Sequence, residues 1–347
     1  MIKFLSKTIL LNIVLIFIVL IIVDLFFGKW FSSNNYGNLL IPRNVYNIID
    51  EPPYVHDKIG VYSRDKNGFR ANDYSIDEIN ILVVGGSTTE ERDVDDSLIW
   101  TKIFEKNLKK SKNYKVLNAG IGGQTSFGHI KLFDLWFARF DNLKPQFILF
   151  YIGINDALFM LESIKNNVSL IEGRSINSTN RDNLQHISDV NKIIQFFKNN
   201  SVYHMIYLII KGNLISRKYN LNYNNKAMEQ NFSYAEEIKF DKYLTESDFN
   251  EYLILYEKNL NQLTNLSKNF SSKPIFITQK IAKDHWLSEY VKIINMKTLS
   301  YSKKNNIKYI NLESLNDLDD SKYFYDGIHT TPEGSKKIGQ FIAKEIF

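Results

Sequence analysis

The sequence predicts an α/β fold in which helices cover both faces of a parallel sheet, preceded by an N-terminal transmembrane helix. Short apolar segments of strand length alternate with longer segments in which apolar residues recur at helical spacing. This alternation begins near Ile79 and continues to the end of the 347-residue chain. In such right-handed windings, ligands bind at the C-terminal ends of the strands. Functional residues are therefore expected in the loops that follow the strands.

The N-terminal region contains an apolar run, Thr8–Phe27, whose length matches that of a membrane-spanning helix. Asn12 and Asp24 are its only strongly polar residues. The run is long for the apolar core of a cleaved secretory signal, which is the alternative, and no small-x-small cleavage site follows it. We therefore expect an uncleaved anchor at residues 1–28 in contact with the membrane lipid bilayer. Basic residues are denser before the run than after it, which favours an extracytoplasmic position for the rest of the chain.

Two regions outside the alternating pattern have a composition of their own. Residues 29–77 contain three prolines and little periodicity, so we expect a tether and an irregular lead-in. Residues 78–347 form the predicted α/β domain, with an insertion at about 158–249 that is rich in Asn and Ser. Within it, the apolar stretch Val202–Ile210 is either a helix packed on the core or a cap over the site, because it is too short for a second span.

The elements of the domain are assigned from apolar periodicity in chain order. The predicted strands are the apolar segments NILVVGG, YKVLNAG, QFILFYIG, PIFITQK and IKYINL. Helices are predicted at LIWTKIFEKNL and around Ile130–Phe140, between the first three strands. A longer amphipathic helix precedes the fourth strand and carries apolar residues at helical spacing, namely Tyr252, Tyr256, Leu260, Leu263 and Leu266. The last helix begins near Pro332.

Composition excludes several classes of function. The net charge of +5 arises from 43 Lys and Arg residues against 38 Asp and Glu residues, spread along the sequence, so we expect no nucleic-acid partner. The absence of cysteine excludes disulfides, thiolate nucleophiles and Cys-ligated zinc. The acidic run Arg92–Asp96 lacks the EF-hand pattern, so we interpret it as solvated. No metal-ligand spacing links His56, His129, His186 and His204. We expect neither a metal nor a cofactor.

Three polar, glycine-rich loops follow the first three predicted strands. In GGST, Ser87 opens a helix after two glycines that allow close approach of a substrate. The alternatives are a plain strand-to-helix connection and a phosphate-binding turn, although the segment lacks both a P-loop lysine and the pattern G-x-G-x-x-G. In NAGIGGQTS, Asn118–Ser126, a glycine lets a backbone N–H point into a cleft as an oxyanion hole requires, or simply forms a turn. In GIND, Asn155 offers a side-chain amide to the same oxyanion, or caps a helix.

The segment DGIHTTPEG places Asp326 and His329 on the loop before the last helix, whose N-cap and first turn are Thr331 and Pro332. A general base requires an imidazole with a pKa near neutrality and a carboxylate that fixes its tautomer and orientation. Asp326 and His329 supply both from one loop. The alternative is an Asp-Gly turn beside an unrelated surface histidine.

Together and in this order, the four segments resemble the SGNH hydrolase superfamily, also called GDSL esterases or lipases, in a membrane-anchored bacterial form. The resemblance covers about 79–156 and 273–347. It implies a flavodoxin-like three-layer α/β/α sandwich. It also implies that Ser87 is the nucleophile, His329 the general base and acid, and Asp326 the residue that orients the histidine.

The same resemblance implies an oxyanion hole formed by the amides of Ser87 and Gly123 and the side chain of Asn155. Gly122 is a neighbouring candidate, but the spacing from Asn118 favours Gly123. The chain departs from the GDSL pattern at Gly86, which stands where the family has its aspartate. Because that aspartate is not a triad member, the departure leaves the expected chemistry in place.

The resemblance implies a carboxylic ester hydrolase that works through an acyl-enzyme. We expect an acylated small-molecule or carbohydrate substrate. With an outward-facing anchor, we expect an O-acyl group on an envelope or secreted carbohydrate. The alternatives are a carbohydrate O-acyltransferase with the same triad and a non-catalytic, membrane-tethered binding or assembly protein. His285 and Trp286 follow the fourth strand and are candidates for lining the cleft, with a surface loop as the alternative. No feature of the sequence indicates which oligomeric state the protein adopts.

Overall fold

The computed structural model divides the chain into two compact units, one of Met1–Leu40 with Ile171–Phe232 and one of Ile41–Leu170 with Ser233–Phe347. The residues that the structure describes are 2–28, 30–31, 41–50, 52–54, 59–108, 113–165, 197–198, 200–204, 206–207, 210, 214, 244, 246–318 and 321–347.

The first unit contains helix α1, Ile2–Phe27. Its segment Ile9–Phe27 has a mean hydropathy of 3.2 over a window none of which is buried within the protein. Among the described residues it is the one helix long and apolar enough to cross a membrane, and a signal sequence would have the same properties. In this unit the described positions 202–204, 206–207 and 210 are also helical.

The second unit is built on a five-stranded parallel sheet with the strand order β4-β3-β5-β6-β7. Its strands are β3 (Ile81–Gly85), β4 (Val116–Asn118), β5 (Phe147–Tyr151), β6 (Lys273–Ile277) and β7 (Lys308–Ile310). The first strand of this sheet lies beside the second and the third, which is the flavodoxin-like order. The predicted α/β class with a parallel sheet is confirmed.

Helices cover both faces of this sheet. They are α2 (Ser87–Glu90), α3 (Trp100–Leu108), α4 (Ser126–Leu135), α5 (Ile154–Lys165), α6 (Glu246–Asn269), α7 (Ser288–Lys304) and α8 (Pro332–Glu345). Ile81 and Val83 pack in one cluster with residues of α3 and α8. Phe150 and Phe276 point to the opposite face, where their rings contact Phe133 of α4 and Tyr301 of α7. Alternate strand residues therefore serve two helical layers, because side chains alternate along a strand.

The lead-in differs from the irregular structure expected over 29–77. Strands β1 (Val45–Asp50) and β2 (Ile59–Arg64) pair antiparallel, and the following segment bridges the sheet edge where the Arg70 amide donates to Asn118 O at 3.0 Å. Buried and partly exposed residues alternate along β2, but hydropathy does not reveal this pattern, because the buried residues are Gly60, Tyr62 and Arg64 and not aliphatic ones. The region therefore belongs to the α/β unit from Ile41 onward.

Most of the expected insertion at about 158–249 lies outside the described residues. Helix α5 continues to Lys165 and α6 begins at Glu246, so its two ends extend the core helices. The assignment of Val202–Ile210 to the core or to a cap stays a prediction.

Candidate active site

Ser87 is the first residue of α2, directly after the turn that ends β3. Its N-cap is Gly86, and a Cβ atom at that position would lie 2.6 Å from Nδ2 of Asn155. Glycine is thus required for Asn155 to approach the serine turn. The position at a helix N-terminus leaves the Ser87 amide without a helical partner, since its acceptor would lie before the helix.

The structure brings Ser87, His329 and Asp326 together in one hydrogen-bonded chain. His329 Nε2 lies 2.8 Å from Ser87 Oγ, and His329 Nδ1 lies 2.5 Å from Asp326 Oδ2. The other carboxylate oxygen, Asp326 Oδ1, accepts the amides of Ile328 at 2.8 Å and His329 at 2.6 Å. This is the spatial arrangement of a nucleophile, a general base and a carboxylate that orients the base.

The environment of Asp326 favours its ionised form. Burial acts to raise the pKa of this carboxyl, but the hydrogen bond and charge of His329 and the amides of His329 and Ile328 outweigh burial and hold the pKa below its usual value. An ionised carboxylate accepts the proton of Nδ1, so the network assigns the Nδ1–H tautomer to the neutral ring. Nε2 is then an acceptor for the Ser87 hydroxyl.

The His329 ring is also supported from its face. It stacks on the Tyr325 ring at a centroid distance of 5.8 Å and an angle of 18°. The Tyr325 hydroxyl donates to Asp93 Oδ2 at 2.9 Å, and Tyr54 donates to the Asp93 backbone carbonyl at 2.8 Å. Burial, followed by the nearby Asp93 and Asp326 carboxylates, raises the pKa of Tyr325, so the hydroxyl stays protonated.

The acidic run Arg92–Asp96 is therefore not simply solvated, as the sequence suggested. Besides the bond from Asp93 to Tyr325, Asp95 accepts the amide of Val61 at 2.8 Å. Asp96 forms an ion pair with Arg70. These carboxylates turn inward because the lead-in strand β2 and the segment after it present donors that only folding brings near them.

The glycine loop after β4 lies beside Ser87. A Cβ atom on Gly122 would lie 3.8 Å from Ser87 Cβ. The Gly122 amide is already engaged, since it donates to Glu90 Oε2 at 2.6 Å. Gly123 has a φ of +73°, which favours glycine, and a Cβ there would have no atom within 4 Å. Within the described part of the chain its amide has no acceptor, so of the two glycines Gly123 is the one with a donor to offer.

The Asn155 side chain completes this side of the site. Its Nδ2 donates to the carbonyl of Gln124 at 3.0 Å, which leaves a second N–H on the same nitrogen. The next residue, Asp156, is buried and accepts the amide of Ser126 at 2.9 Å and the hydroxyl of Tyr252 at 3.0 Å. Asp156 thereby ties the first turn of α5, which carries Asn155, to the start of α4.

A largely buried ion pair holds the glycine loop in place. Arg64 Nη2 lies 2.7 Å from Glu90 Oε1 and donates to the carbonyl of Gly120 at 2.7 Å. Glu90 Oε2 accepts the Gly122 amide, and the Tyr62 hydroxyl donates to Glu90 Oε1 at 2.8 Å. Burial acts to raise the pKa of Glu90, but the charge and hydrogen bonds of Arg64 outweigh it, so the pKa is lowered. Two charged side chains thus bond the loop on both sides of Ile121.

A second buried carboxylate links the serine turn to the histidine loop. Glu91 accepts the hydroxyl of Thr330 at 2.7 Å, the amide of Trp100 at 2.5 Å and the hydroxyl of Ser335. Burial raises the pKa of Glu91 to about 7, against the hydrogen bonds, which lower it. Sequence reasoning missed Glu90 and Glu91, although the run of charged residues that begins three positions after Ser87 is the signal that points to them.

The candidate cleft residues lie against the loop that carries the histidine. A Cβ atom on Gly327 would lie 2.5 Å from Cδ2 of His285, and the Trp286 ring lies 5.6 Å from the His285 ring. Burial lowers the pKa of His285, and the Asp326 carboxylate partly opposes this effect. Both rings are partly exposed. Their role in lining a cleft stays a prediction.

No protein-family model matches the sequence. No curated protein matches it either. Among solved structures, the chain is similar to a member of the lipolytic protein G-D-S-L family from Veillonella parvula, at 14% identity and a TM-score of 0.43 over 78% of this chain and 98% of that chain. It is similar to the esterase EstA from Pseudoalteromonas sp., at 14% identity and a TM-score of 0.42 over 77% and 96% of the two chains. A third similar structure is the acetyl xylan esterase AlAXEase, at 12% identity and a TM-score of 0.43 over 78% and 100%.

Proposed function

We propose that this protein is a serine-dependent carboxylic ester hydrolase of the SGNH type, which acts through an acyl-enzyme. The observation that carries the proposal is the continuous hydrogen-bonded chain from Ser87 through His329 to Asp326. Ser87 Oγ attacks the ester carbonyl while His329 Nε2 takes its proton. Asp326 stabilises the imidazolium that forms. The same Nε2 then protonates the departing alcohol, and the acyl group remains on Ser87.

The negative charge that develops on the carbonyl oxygen requires donors fixed in advance. We assign this role to the amides of Ser87 and Gly123 and to the side-chain amide of Asn155. Two features support the assignment: the Gly122 amide is occupied by Glu90, and Asn155 is held against the serine turn by its bond to Gln124.

Hydrolysis completes the cycle. A water molecule gives a proton to His329 Nε2 and its oxygen attacks the acyl carbon, so that the bond to Ser87 Oγ breaks. His329 returns the proton to Ser87. One ester and one water thus yield one carboxylic acid and one alcohol.

We further propose that α1 anchors the enzyme in a membrane, with the α/β unit on the extracytoplasmic side. The apolar length of Ile9–Phe27 and the excess of basic residues before it support this topology. An outward-facing, anchored esterase meets envelope and secreted polymers, and we propose an O-acyl group on such a carbohydrate as the substrate.

A fluorophosphonate probe tests the nucleophile directly, because it phosphonylates serines that a neighbouring base activates. The detergent-solubilised full chain is expected to be labelled, with loss of labelling in Ser87→Ala and strong reduction in His329→Ala. The matched control is Ser314→Ala, which removes an exposed hydroxyl that donates to the Asn311 carbonyl at 2.6 Å. A folded wild-type protein that resists the probe would contradict the proposal and favour a binding role.

The products distinguish hydrolysis from transfer. The purified chain is incubated with an acetylated oligosaccharide, and separately with an activated acetyl ester plus an unacetylated oligosaccharide. Release of acetate in both reactions, with no acetyl on the acceptor sugar, is expected of a hydrolase. Acetylated acceptor would instead identify an O-acyltransferase that uses the same triad.

A further inference from the structure

The unit formed by Met1–Leu40 and Ile171–Phe232 carries a second apolar surface besides α1. It is a stripe of five side chains, each between 37% and 60% exposed: Tyr203, Ile206, Tyr207, Ile210 and Leu214. These positions are three or four residues apart and helical, so they share one face of a helix. We call these five residues the aromatic stripe. A face of this kind needs an apolar partner.

The start of the aromatic stripe is bonded to the last turns of α1. Asp24 accepts the amide of Val202 at 2.7 Å and the hydroxyl of Ser201 at 2.9 Å. Its carboxylate therefore caps the start of the helical positions that begin at Val202. One turn earlier in α1, the carbonyl of Leu20 accepts the hydroxyl of Tyr203 at 2.8 Å. These donors explain how the apolar run accommodates its one acidic residue, because burying a carboxylate in a bilayer costs free energy unless donors satisfy it.

These contacts fix the depth of the aromatic stripe relative to α1. If α1 spans the bilayer, Asp24 and Leu20 lie about 5 Å and about 10 Å before the end of Ile9–Phe27. That is the depth to which interfacial helices bury their apolar face. Two tyrosines occur in the stripe, and Trp30 contacts Phe197 at the same end with ring centroids 5.4 Å apart. Tyrosine and tryptophan are enriched at this level because their rings are apolar and their polar groups reach water.

Length decides between spanning and lying in the interface. The sequence limits the apolar stretch to Val202–Ile210, which at a helical rise of about 1.5 Å per residue reaches roughly 14 Å. The hydrocarbon core of a bilayer is about 30 Å thick. A helix of this length cannot cross it, whereas an amphipathic helix in the interface plane buries one apolar face at the acyl boundary.

We propose that the aromatic stripe inserts into the same lipid bilayer as α1, as an interfacial helix whose start is capped by Asp24. The partner is the lipid surface itself. The proposal rests on the membrane position proposed for α1, and it adds a second membrane contact from residues within the expected insertion at about 158–249. Continuity with the exposed apolar surface of α1 favours lipid over a second copy of the chain.

The absence of cysteine makes a labelling test direct. Single cysteines are placed at Ile206 and Ile210 in the stripe, at Ile18 in α1 and at Met296, an exposed residue of α7. Each full-length variant is spin-labelled and reconstituted in vesicles of phosphatidylcholine and phosphatidylglycerol. Collision rates with oxygen, which dissolves in lipid, and with a water-soluble nickel chelate are then compared. Circular dichroism verifies that each labelled protein is folded.

Labels at 206 and 210 are expected to show an oxygen-to-nickel ratio several-fold above that of the label at 296, close to that of the label at 18. Nickel access at 206 and 210 with protection at 18 would overturn the aromatic stripe proposal while leaving the anchor intact. Nickel access at 18 as well would refute the anchor. Spin–spin broadening at 206 and 210 that persists on dilution into excess lipid would show that a second copy, not lipid, covers the stripe.

Discussion

Replacing Glu90 by glutamine tests whether the buried ion pair positions the proposed oxyanion donor. The substitution keeps the shape of the side chain but removes the charge that Arg64 pairs with at 2.7 Å. Three donors face the carboxylate, from Arg64, Tyr62 and the Gly122 amide. A glutamine amide has only one acceptor oxygen, so its NH₂ group must face one of these donors.

The substitution is expected to lower both the folding stability and kcat. Removing one partner of a buried ion pair costs about 3–5 kcal/mol of folding free energy, because the other charge stays buried without compensation. The loss of a whole oxyanion donor costs about 10²–10³ in kcat. Glu90 bonds Gly122, the neighbour of the proposed donor Gly123, so we expect a displaced donor and a fall in kcat of about tenfold or more. KM should change little because the Glu90 carboxylate is directed to Arg64, Tyr62 and the Gly122 amide.

The assay follows hydrolysis of a short-chain p-nitrophenyl ester at a temperature where the variants remain folded. Glu105→Gln is the matched control, since Glu105 is also buried and accepts Tyr74 at 2.5 Å and the Val116 amide at 2.9 Å. Both variants should unfold at lower urea concentration, but only Glu90→Gln should lose kcat. Wild-type kcat in folded Glu90→Gln, or an equal loss in both variants, would refute a positioning role.

Three further predictions concern the same region. Gly86→Ala should lower kcat about tenfold or more without loss of fold, because its Cβ would lie 2.6 Å from Nδ2 of Asn155 and displace that proposed donor; an unchanged kcat would remove Asn155 from the oxyanion hole. In the folded protein the pKa of Glu91 is about 7, against an ordinary value of 4.5, so the folded state keeps a proton that the unfolded chain has lost. The free energy of unfolding should therefore fall as the pH rises from about 4.5 to about 7. Glu91→Gln should abolish that slope in urea titrations. Burial lowers the pKa of His129 to about 3, so stability should fall as pH falls from 6.5 towards 3, and His129→Leu should remove this acid sensitivity; a slope that persists would contradict the assignment.

The sheet and the positions of the four motifs could be predicted because their signals are local. Apolar runs mark buried parallel strands, and glycines mark the turns after them. The boundary of α4 was less accurate, since a helix around Ile130–Phe140 was expected and it runs from Ser126 to Leu135. The helix begins earlier because Asp156, in the first turn of α5, accepts the Ser126 amide at 2.9 Å. A cap supplied across the fold leaves no local signal.

The buried charges could not be predicted for a related reason. Arg64 and Glu90 are 26 residues apart, and each alone has the composition of a solvated surface. Only the fold brings them together, and only their pairing offsets the desolvation cost of burying the two charges. The spacing from Asn118 favours Gly123 over Gly122, but the use of the Gly122 amide by Glu90 depends on a tertiary contact that the sequence does not reveal.

The participation of the lead-in in the site has a practical consequence for the design of shorter versions of this protein. A fragment trimmed to begin at Ile79 would retain all four sequence motifs and would satisfy any motif search. It would nevertheless lack Tyr62, Arg64 and Arg70, and Glu90 would then face an opening in place of a guanidinium. Such a fragment would carry the triad on an unsupported loop, so weak activity in it would measure the truncation and not the enzyme.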